Sequence, residues 1–306
     1  MLLNKMIEVQ DFSKVYGDFV AVDQISFSVE EGEIFGLLGP NGAGKTSTLE
    51  CMEGLRKPDG GRIQVTGLEP ASEFNKLKNL IGVQLQSGSM PESITPVEAI
   101  KLFSAYHAVE SRLDLLKKFG LEEKKNSQFF ELSTGQQRRL ALALAVMHNP
   151  KVLFLDEPTA GLDVATRSVL HQMMRDLRES GTTIILATHD MAEAEQMSDR
   201  VAILLQGKII KIGTPIEITA AGAGVTKITV HTQSSEIPIS DNYFPAVTHS
   251  MQMDDYQIFF SNDIGPTLSS LIAYIEEHND TLIDLRVERP SLEDRFLEIT
   301  NTGVNQ

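Results

Sequence analysis

The run Gly39-Pro40-Asn41-Gly42-Ala43-Gly44-Lys45-Thr46, directly after the apolar stretch Ile34–Leu38, constrains this chain more than any other feature. It satisfies G-x-x-x-x-G-K-[ST] in full. Its glycines let backbone N–H groups turn inward around phosphate oxygens. The Lys45 amine reaches the β- and γ-phosphates, and the Thr46 hydroxyl faces magnesium. Such a loop works only between a buried strand and a helix opening at Lys45, so the sequence predicts a strand–loop–helix unit within an α/β fold.

A second feature complements it. Val152-Leu153-Phe154-Leu155 is apolar on both faces, as a buried parallel strand must be, and ends in Asp156-Glu157. An acid at the C-terminal end of such a strand points into the ligand crevice. Asp156 is placed to hold a magnesium shell, and Glu157 to polarise an attacking water. Ile184–Ala187 reads as another buried strand, whereas Ile25-Ser26-Phe27-Ser28-Val29 alternates and belongs nearer a sheet edge.

Helix starts are marked at Thr95-Pro96-Val97-Glu98 and Ser133-Thr134-Gly135-Gln136, each with a capping-box pattern. Val201–Leu205 and Ile209–Ile212 flank Gly207 as a hairpin. Ala220-Ala221-Gly222-Ala223-Gly224 reads as a linker, dividing the chain into 1–219 and a small α+β domain at 225–306. That domain is expected to hold strands at Lys227–Val230, Gln257–Phe260 and Leu282–Val287, and helices at Pro266–Glu277 and Ser291–Ile299.

Charge and length narrow the function. With 306 residues, 42% of them apolar, the chain can bury a large core and a smaller one. Its net charge of −15 argues against a nucleic-acid partner, since phosphate binding needs a positive surface. Residues 225–306 carry 13 Asp+Glu against 4 Lys+Arg, a solvated acidic face. The single cysteine, Cys51, precludes an internal disulfide and reads as a buried structural thiol. No apolar run approaches the roughly 20 residues of a membrane span, and the first residues carry no signal-peptide stretch. The expectation is a soluble chain whose membrane role, if any, runs through a partner.

Leu132-Ser133-Thr134-Gly135-Gln136, 23 residues before Asp156 when counted from Ser133, resembles the L-S-G-G-Q signature of ATP-binding cassette (ABC) ATPases, with Thr134 in place of the first glycine. Further positions resemble the same family. Tyr16 sits where an aromatic stacks on adenine. Gln86 matches the glutamine that touches magnesium and the membrane partner, with Gln84 close by. Asp163, in Ala160-Gly161-Leu162-Asp163, and His189, in Thr188-His189-Asp190, match the D-loop aspartate and the switch histidine. Residues 6–215 carry this resemblance. Arg289-Pro290-Ser291-Leu292-Glu293-Asp294-Arg295-Phe296-Leu297-Glu298-Ile299-Thr300 is similar to the ending of ATPase subunits of ABC-2-type exporters of the multidrug and daunorubicin-resistance group, with Arg295 where that group has an apolar residue.

The resemblance implies a P-loop NTPase: a RecA-like core with an antiparallel β subdomain and a helical arm, followed by the small domain. It implies ATP hydrolysis with ATP and Mg2+, Glu157 and His189 being catalytic. ATP would be held by Tyr16, Gly39, Pro40, Asn41, Gly42, Ala43, Gly44, Lys45, Thr46, Ser47 and Gln86. Ser133, Gly135, Gln136 and Asp163 would complete the site from the other subunit of a head-to-tail homodimer. Thr46, Gln86 and Asp156 would hold the metal. The partners implied are a second ATP-binding subunit and an ABC-2-type permease, placing the chain in the cytoplasm at the inner face of the membrane. The alternative is a soluble ABC-type ATPase that remodels a macromolecular complex. Such proteins usually carry two cassettes or long insertions and basic surfaces, unlike this chain.

Overall fold

The structure, a computed structural model, describes residues 5–85, 90–220, 225–234, 236–241, 243–288 and 291–296. It parts into two compact units, Met1–Thr214 and Pro215–Gln306. The first begins β1 (Lys5–Tyr16), β2 (Phe19–Glu30), β3 (Ile34–Leu38), α1 (Lys45–Met52), β4 (Gly60–Val65), α2 (Pro70–Leu77) and β5 (Ile81–Gln84). A helical middle follows with α3 (Pro96–Tyr106), α4 (Asp114–Lys118) and α5 (Thr134–Val146). β6 (Val152–Asp156), α6 (Val164–Glu179), β7 (Thr183–Thr188), α7 (Met191–Met197), β8 (Arg200–Leu205) and β9 (Lys208–Gly213) complete it.

The central sheet has the order β5-β6-β7-β3-β8-β9 and is parallel except for β9, which forms the expected hairpin with β8. Every residue of β3, β6 and β7 is buried, which is why these strands read as unbroken apolar runs. Their order matters for function. β7 lies between β6 and β3, so the segments leaving all three strands emerge side by side at one sheet edge. In an open α/β sheet that edge is the ligand crevice.

A second, antiparallel sheet, β2-β1-β4, packs through Ile7, Val9, Phe12 and Phe27 onto α1 and one face of β3, where the Phe27 and Phe35 rings stack with centroids 5.3 Å apart. β2 is an edge strand, with Ile25, Phe27 and Val29 buried and Ser26 exposed, as its alternation requires. On the opposite face, Leu140 and Leu144 of α5 and Leu170 and Met174 of α6 join Leu153, Leu155, Ile184 and Leu186 in another core. Both predicted capping boxes are formed. Thr95 Oγ1 accepts from Glu98 N and Ser133 Oγ from Gln136 N, each at 3.3 Å, and the Glu98 and Gln136 side chains reciprocate.

The second unit comprises α8 (Pro215–Ala220), β10 (Thr226–Thr232), β11 (Val247–Met253), β12 (Tyr256–Ser261), α9 (Ile264–Glu277) and β13 (Leu282–Glu288). Its sheet is antiparallel in the order β11-β12-β10-β13, and Leu271 and Ile275 of α9 pack on Ile228, Val230 and Phe259. The unit is α+β as expected, with β11 an additional strand. Residues 292–296 are helical, and Ser291 and Asp294 cap one another. Arg295 Nε donates to Ile218 O at 3.2 Å, which gives the departure from an apolar residue a hydrogen-bonded place. Residues 221–224 of the predicted linker, and Arg289, Pro290 and Leu297–Thr300 of the C-terminal motif, lie outside the described residues. Among the described residues no helix is long and apolar enough to cross a membrane.

Candidate nucleotide site

The phosphate loop is built by close packing as much as by turning. Gly44 has φ +103°, and a Cβ there would lie 2.5 Å from Ala21 O. Gly39 has no room either, since a Cβ would meet Leu204 O at 2.3 Å. The loop thus delivers the N-terminus of α1, with no acidic side chain in its first turn, to the crevice. That arrangement suits an anion.

Lys45 is 6% exposed and folds back over its own loop, donating to Gly39 O at 2.6 Å and Pro40 O at 3.2 Å. Burial lowers its pKa, while Glu157 and Asp156 act to raise it. The ammonium lies 3.8 Å from Glu157 Oε1. From the end of β7, His189 Nδ1 lies 2.8 Å from both Glu157 oxygens, and this imidazole is largely exposed. Glu157 itself is 5% exposed with φ +49°, a left-handed conformation for a residue with a Cβ. Strain of this kind is often held at functional positions. One carboxylate therefore bridges the cation of the phosphate loop and the histidine of the neighbouring strand.

Thr46 Oγ1 donates to Asp156 Oδ2 at 3.0 Å, joining the two sequence motifs across 110 residues. Asp156 Oδ1 is buried with no hydrogen-bond partner, and burial raises the pKa of this carboxyl despite the Thr46 bond. A hydroxyl and a carboxylate with an unused buried oxygen form a hard, all-oxygen donor set, which fits magnesium completed by water and phosphate oxygens. Among the described residues no cluster of three or more His, Cys, Asp or Glu could hold a metal by itself.

A cleft of about 180 Å³ runs from this point over residues 41–47 to Tyr16, Phe19 and Ala21. Tyr16 is partly exposed, and its hydroxyl donates to Ser47 Oγ at 3.3 Å. Lys14 Nζ and the Arg56 guanidinium lie 5.3 and 5.4 Å from its ring centroid. The structure thus brings together Tyr16, the phosphate loop, Ser47, Asp156, Glu157 and His189. Phe19 was missed by the sequence reading. It pairs with Tyr16 across the β1–β2 turn and is 61% exposed, so the signal was an aromatic three residues beyond Tyr16 after a Gly-Asp turn.

Ser133, Gly135, Gln136 and Asp163 do not line this cleft. Ser133 caps α5. Asp163 caps α6, accepting from Thr166 N at 2.9 Å and from Thr166 Oγ1 at 2.7 Å. Gln86 lies outside the described residues. Its neighbour Gln84 is 3% exposed, and neither amide atom has a hydrogen-bond partner.

Comparison with known proteins agrees with this geometry. Residues 22–160 match the "ABC transporter" family. The chain is 33% identical to the linearmycin resistance ATP-binding protein LnrL of Bacillus subtilis (strain 168), over 96% of this chain and 98% of the relative. It is also 33% identical to the Nod factor export ATP-binding protein I of Ralstonia nicotianae (strain ATCC BAA-1114 / GMI1000), over 96% and 94%. A solved ATP-binding cassette, a dimer in a post-hydrolysis state bound to ADP and phosphate, superposes with a TM-score of 0.63 at 27% identity, covering 68% of this chain and 98% of that one. With the phosphate loop, the acidic strand end and the histidine at one sheet edge, these likenesses place the chain in the family of ABC transporter ATP-binding proteins, as an ATPase.

Proposed function

We propose that this chain powers export through a separate ABC-2-type permease, working as a head-to-tail homodimer with ATP and Mg2+ at the cytoplasmic face of the membrane. The observation that carries the reading is the meeting of Lys45, Glu157 and His189 at three adjacent strand ends. In this reading Tyr16 stacks on adenine, while residues 39–47 wrap the phosphates. Thr46 and Asp156, with Gln86 by resemblance, would hold the magnesium, whose charge would offset that of the phosphates. An incoming triphosphate competes with Glu157 for both Lys45 and His189. The freed carboxylate then faces the attacking water and accepts its proton, while His189 contacts the γ-phosphate.

Ser133, Gly135, Gln136 and Asp163 would serve the partner subunit's nucleotide. Their place outside the cleft of their own chain, and the dimeric state of the solved relative, support that assignment. Export is supported by the names of the two full-length relatives, a resistance protein and an export protein. An apolar cavity of about 550 Å³, walled by Phe74, Val83, Leu85, Met90, Phe103 and Leu144, supports a docking surface for the permease. Residues 1–219 would form the motor, and 225–306 an accessory domain for dimer contact or partner choice.

Glu157→Gln tests the catalytic half of this reading. The variant should bind ATP yet lose roughly two or more powers of ten in turnover. With ATP it should accumulate as a dimer on size-exclusion chromatography. Turnover at the wild-type rate would end the assignment.

A further inference from the structure

Behind the crevice, α6 and α7 are joined by a ladder of polar contacts. Arg167, His171 and Arg175 recur every four residues on one face of α6, as helix geometry requires for neighbours. Arg167 Nη1 donates to Asp190 Oδ2 at 2.8 Å, His171 Nε2 lies 3.0 Å from Glu193 Oε1, and Arg175 Nη1 lies 3.2 Å from Met197 Sδ. The middle rung differs from the other two, because both His171 and Glu193 are 2% exposed. A buried carboxylate needs compensation, and Glu193 is well provided. Besides His171, it accepts from Thr159 Oγ1 at 2.5 Å and from the Thr188 side chain. Burial alone would raise its pKa, but the bonds from His171, Thr159 and Thr188 outweigh that and hold it below the ordinary glutamate range.

The partners of this carboxylate come from three places that matter. Thr159 stands two residues after Glu157, on the segment leading to Asp163. Thr188 immediately precedes His189. His171 lies on the helix that Asp163 caps. Backbone bonds tighten both segments around the same point. Glu157 N donates to Ala187 O at 2.9 Å, Leu162 N to Thr159 O at 3.1 Å, and Asp190 N to Thr188 Oγ1 at 3.0 Å.

We infer that Glu193 is a positioning residue for ATP hydrolysis, a buried clamp that holds the Glu157 segment and the His189 segment in register and ties both, through His171, to the helix capped by Asp163. Buried and outside the lining of the cleft, it acts through Glu157 and His189, so the inference rests on their proposed catalytic roles. A shift of Asp163 on subunit contact would reach His189 through α6 rather than through the nucleotide.

Three single variants and one combination with His189→Ala, purified as the full chain, test it. Glu193→Gln keeps the size and the acceptor oxygen but loses the charge. It should bind a fluorescent ATP analogue and show a KM within about threefold of wild type, while kcat falls about ten- to a hundredfold, the loss expected when catalytic groups are misplaced by a fraction of an ångström. His171→Leu fills the same space without a donor and should lower kcat in the same manner. His171→Gln can still donate to Glu193 and should restore kcat to within about threefold of wild type. Because part of the effect of Glu193 runs through His189, the losses from Glu193→Gln and His189→Ala should combine to clearly less than their product.

Melting temperatures that fall while kcat of the folded protein stays at wild type would reduce the network to a structural role and overturn the inference. Multiplicative losses with His189→Ala, or equal kcat in His171→Leu and His171→Gln, would do the same. If Glu157→Gln is inactive while Glu193→Gln is fully active, the clamp alone fails. If Glu157→Gln is itself active, the reading beneath it fails and takes the clamp with it.

Discussion

Glu53, the residue after α1, is 2% exposed, and no partner meets its Oε2. Burial, with Asp156 and Glu50 adding to it, pushes its carboxyl up to about 8 from an ordinary 4.5. Between those values the folded chain keeps a proton that the unfolded chain has released. The contribution of this one group to stability therefore falls as pH rises from about 4.5 to about 8 and levels off above, by at most about 1.4 kcal/mol per pH unit. Glu53→Gln removes that slope. Urea midpoints measured from pH 5 to pH 8 should decline less in the variant than in wild type, with the variant the more stable of the two at pH 8. Parallel curves would show that Glu53 is already ionised in the folded chain. Nothing in Glu50-Cys51-Met52-Glu53-Gly54 marks this glutamate as buried, because a charged residue at a helix end is ordinarily solvated. Lys45, Thr46 and Asp156 were legible for the opposite reason. Phosphate and metal chemistry require particular atoms at particular backbone positions, so the motif and the geometry are the same statement.

Elements were legible wherever one period dominated. β3, β6 and β7 are buried on both faces and read as apolar runs, and the capping boxes of α3 and α5 are local. β11 was not seen, because Thr248-His249-Ser250 and Gln252 dilute its alternation and its pairing with β12 is tertiary. The α6–α7 ladder was illegible for the same reason, since Arg167 and Asp190 are strangers until the helices pack. The signature helix illustrates a mixed case. The resemblance implies that Gly135 helps complete the site across the dimer; within its own chain it is buried, and a Cβ there would meet Thr166 Cγ2 at 2.3 Å. Thr166 cannot swing away freely, because its hydroxyl is bonded to Asp163. Gly135→Ala should therefore destabilise by about 1–3 kcal/mol through overpacking between α5 and α6, although alanine favours helix. Thr166→Ser removes the offending methyl and keeps the hydroxyl. Gly135→Ala/Thr166→Ser should regain most of the lost denaturant midpoint. No recovery in the double variant would mean that the α5–α6 contact is not what excludes a side chain at position 135.

At the scale of the molecule, the cleft of one chain contains the phosphate loop, Asp156 and Glu157 but none of Ser133, Gly135, Gln136 or Asp163. Ser133 still opens a helix whose first turn carries no acidic side chain, an N-terminus suited to phosphate. A second copy of the chain would let both halves work, and a mixing experiment decides whether they do. Lys45→Ala should be nearly inactive as a homodimer, lacking the phosphate-binding amine. Ser133→Arg should be nearly inactive as well, with its helix N-terminus blocked. A mixed dimer combines both lesions in one site and neither in the other, where the intact Lys45 of the second chain faces the intact Ser133 of the first. Once tagged chains confirm subunit exchange, mixing should restore ATPase activity up to about half of wild type per mixed dimer if the sites act independently, and less if they are coupled. Proven heterodimers without recovered activity would count against sharing, because a site built within one chain leaves every site in the mixture carrying one lesion.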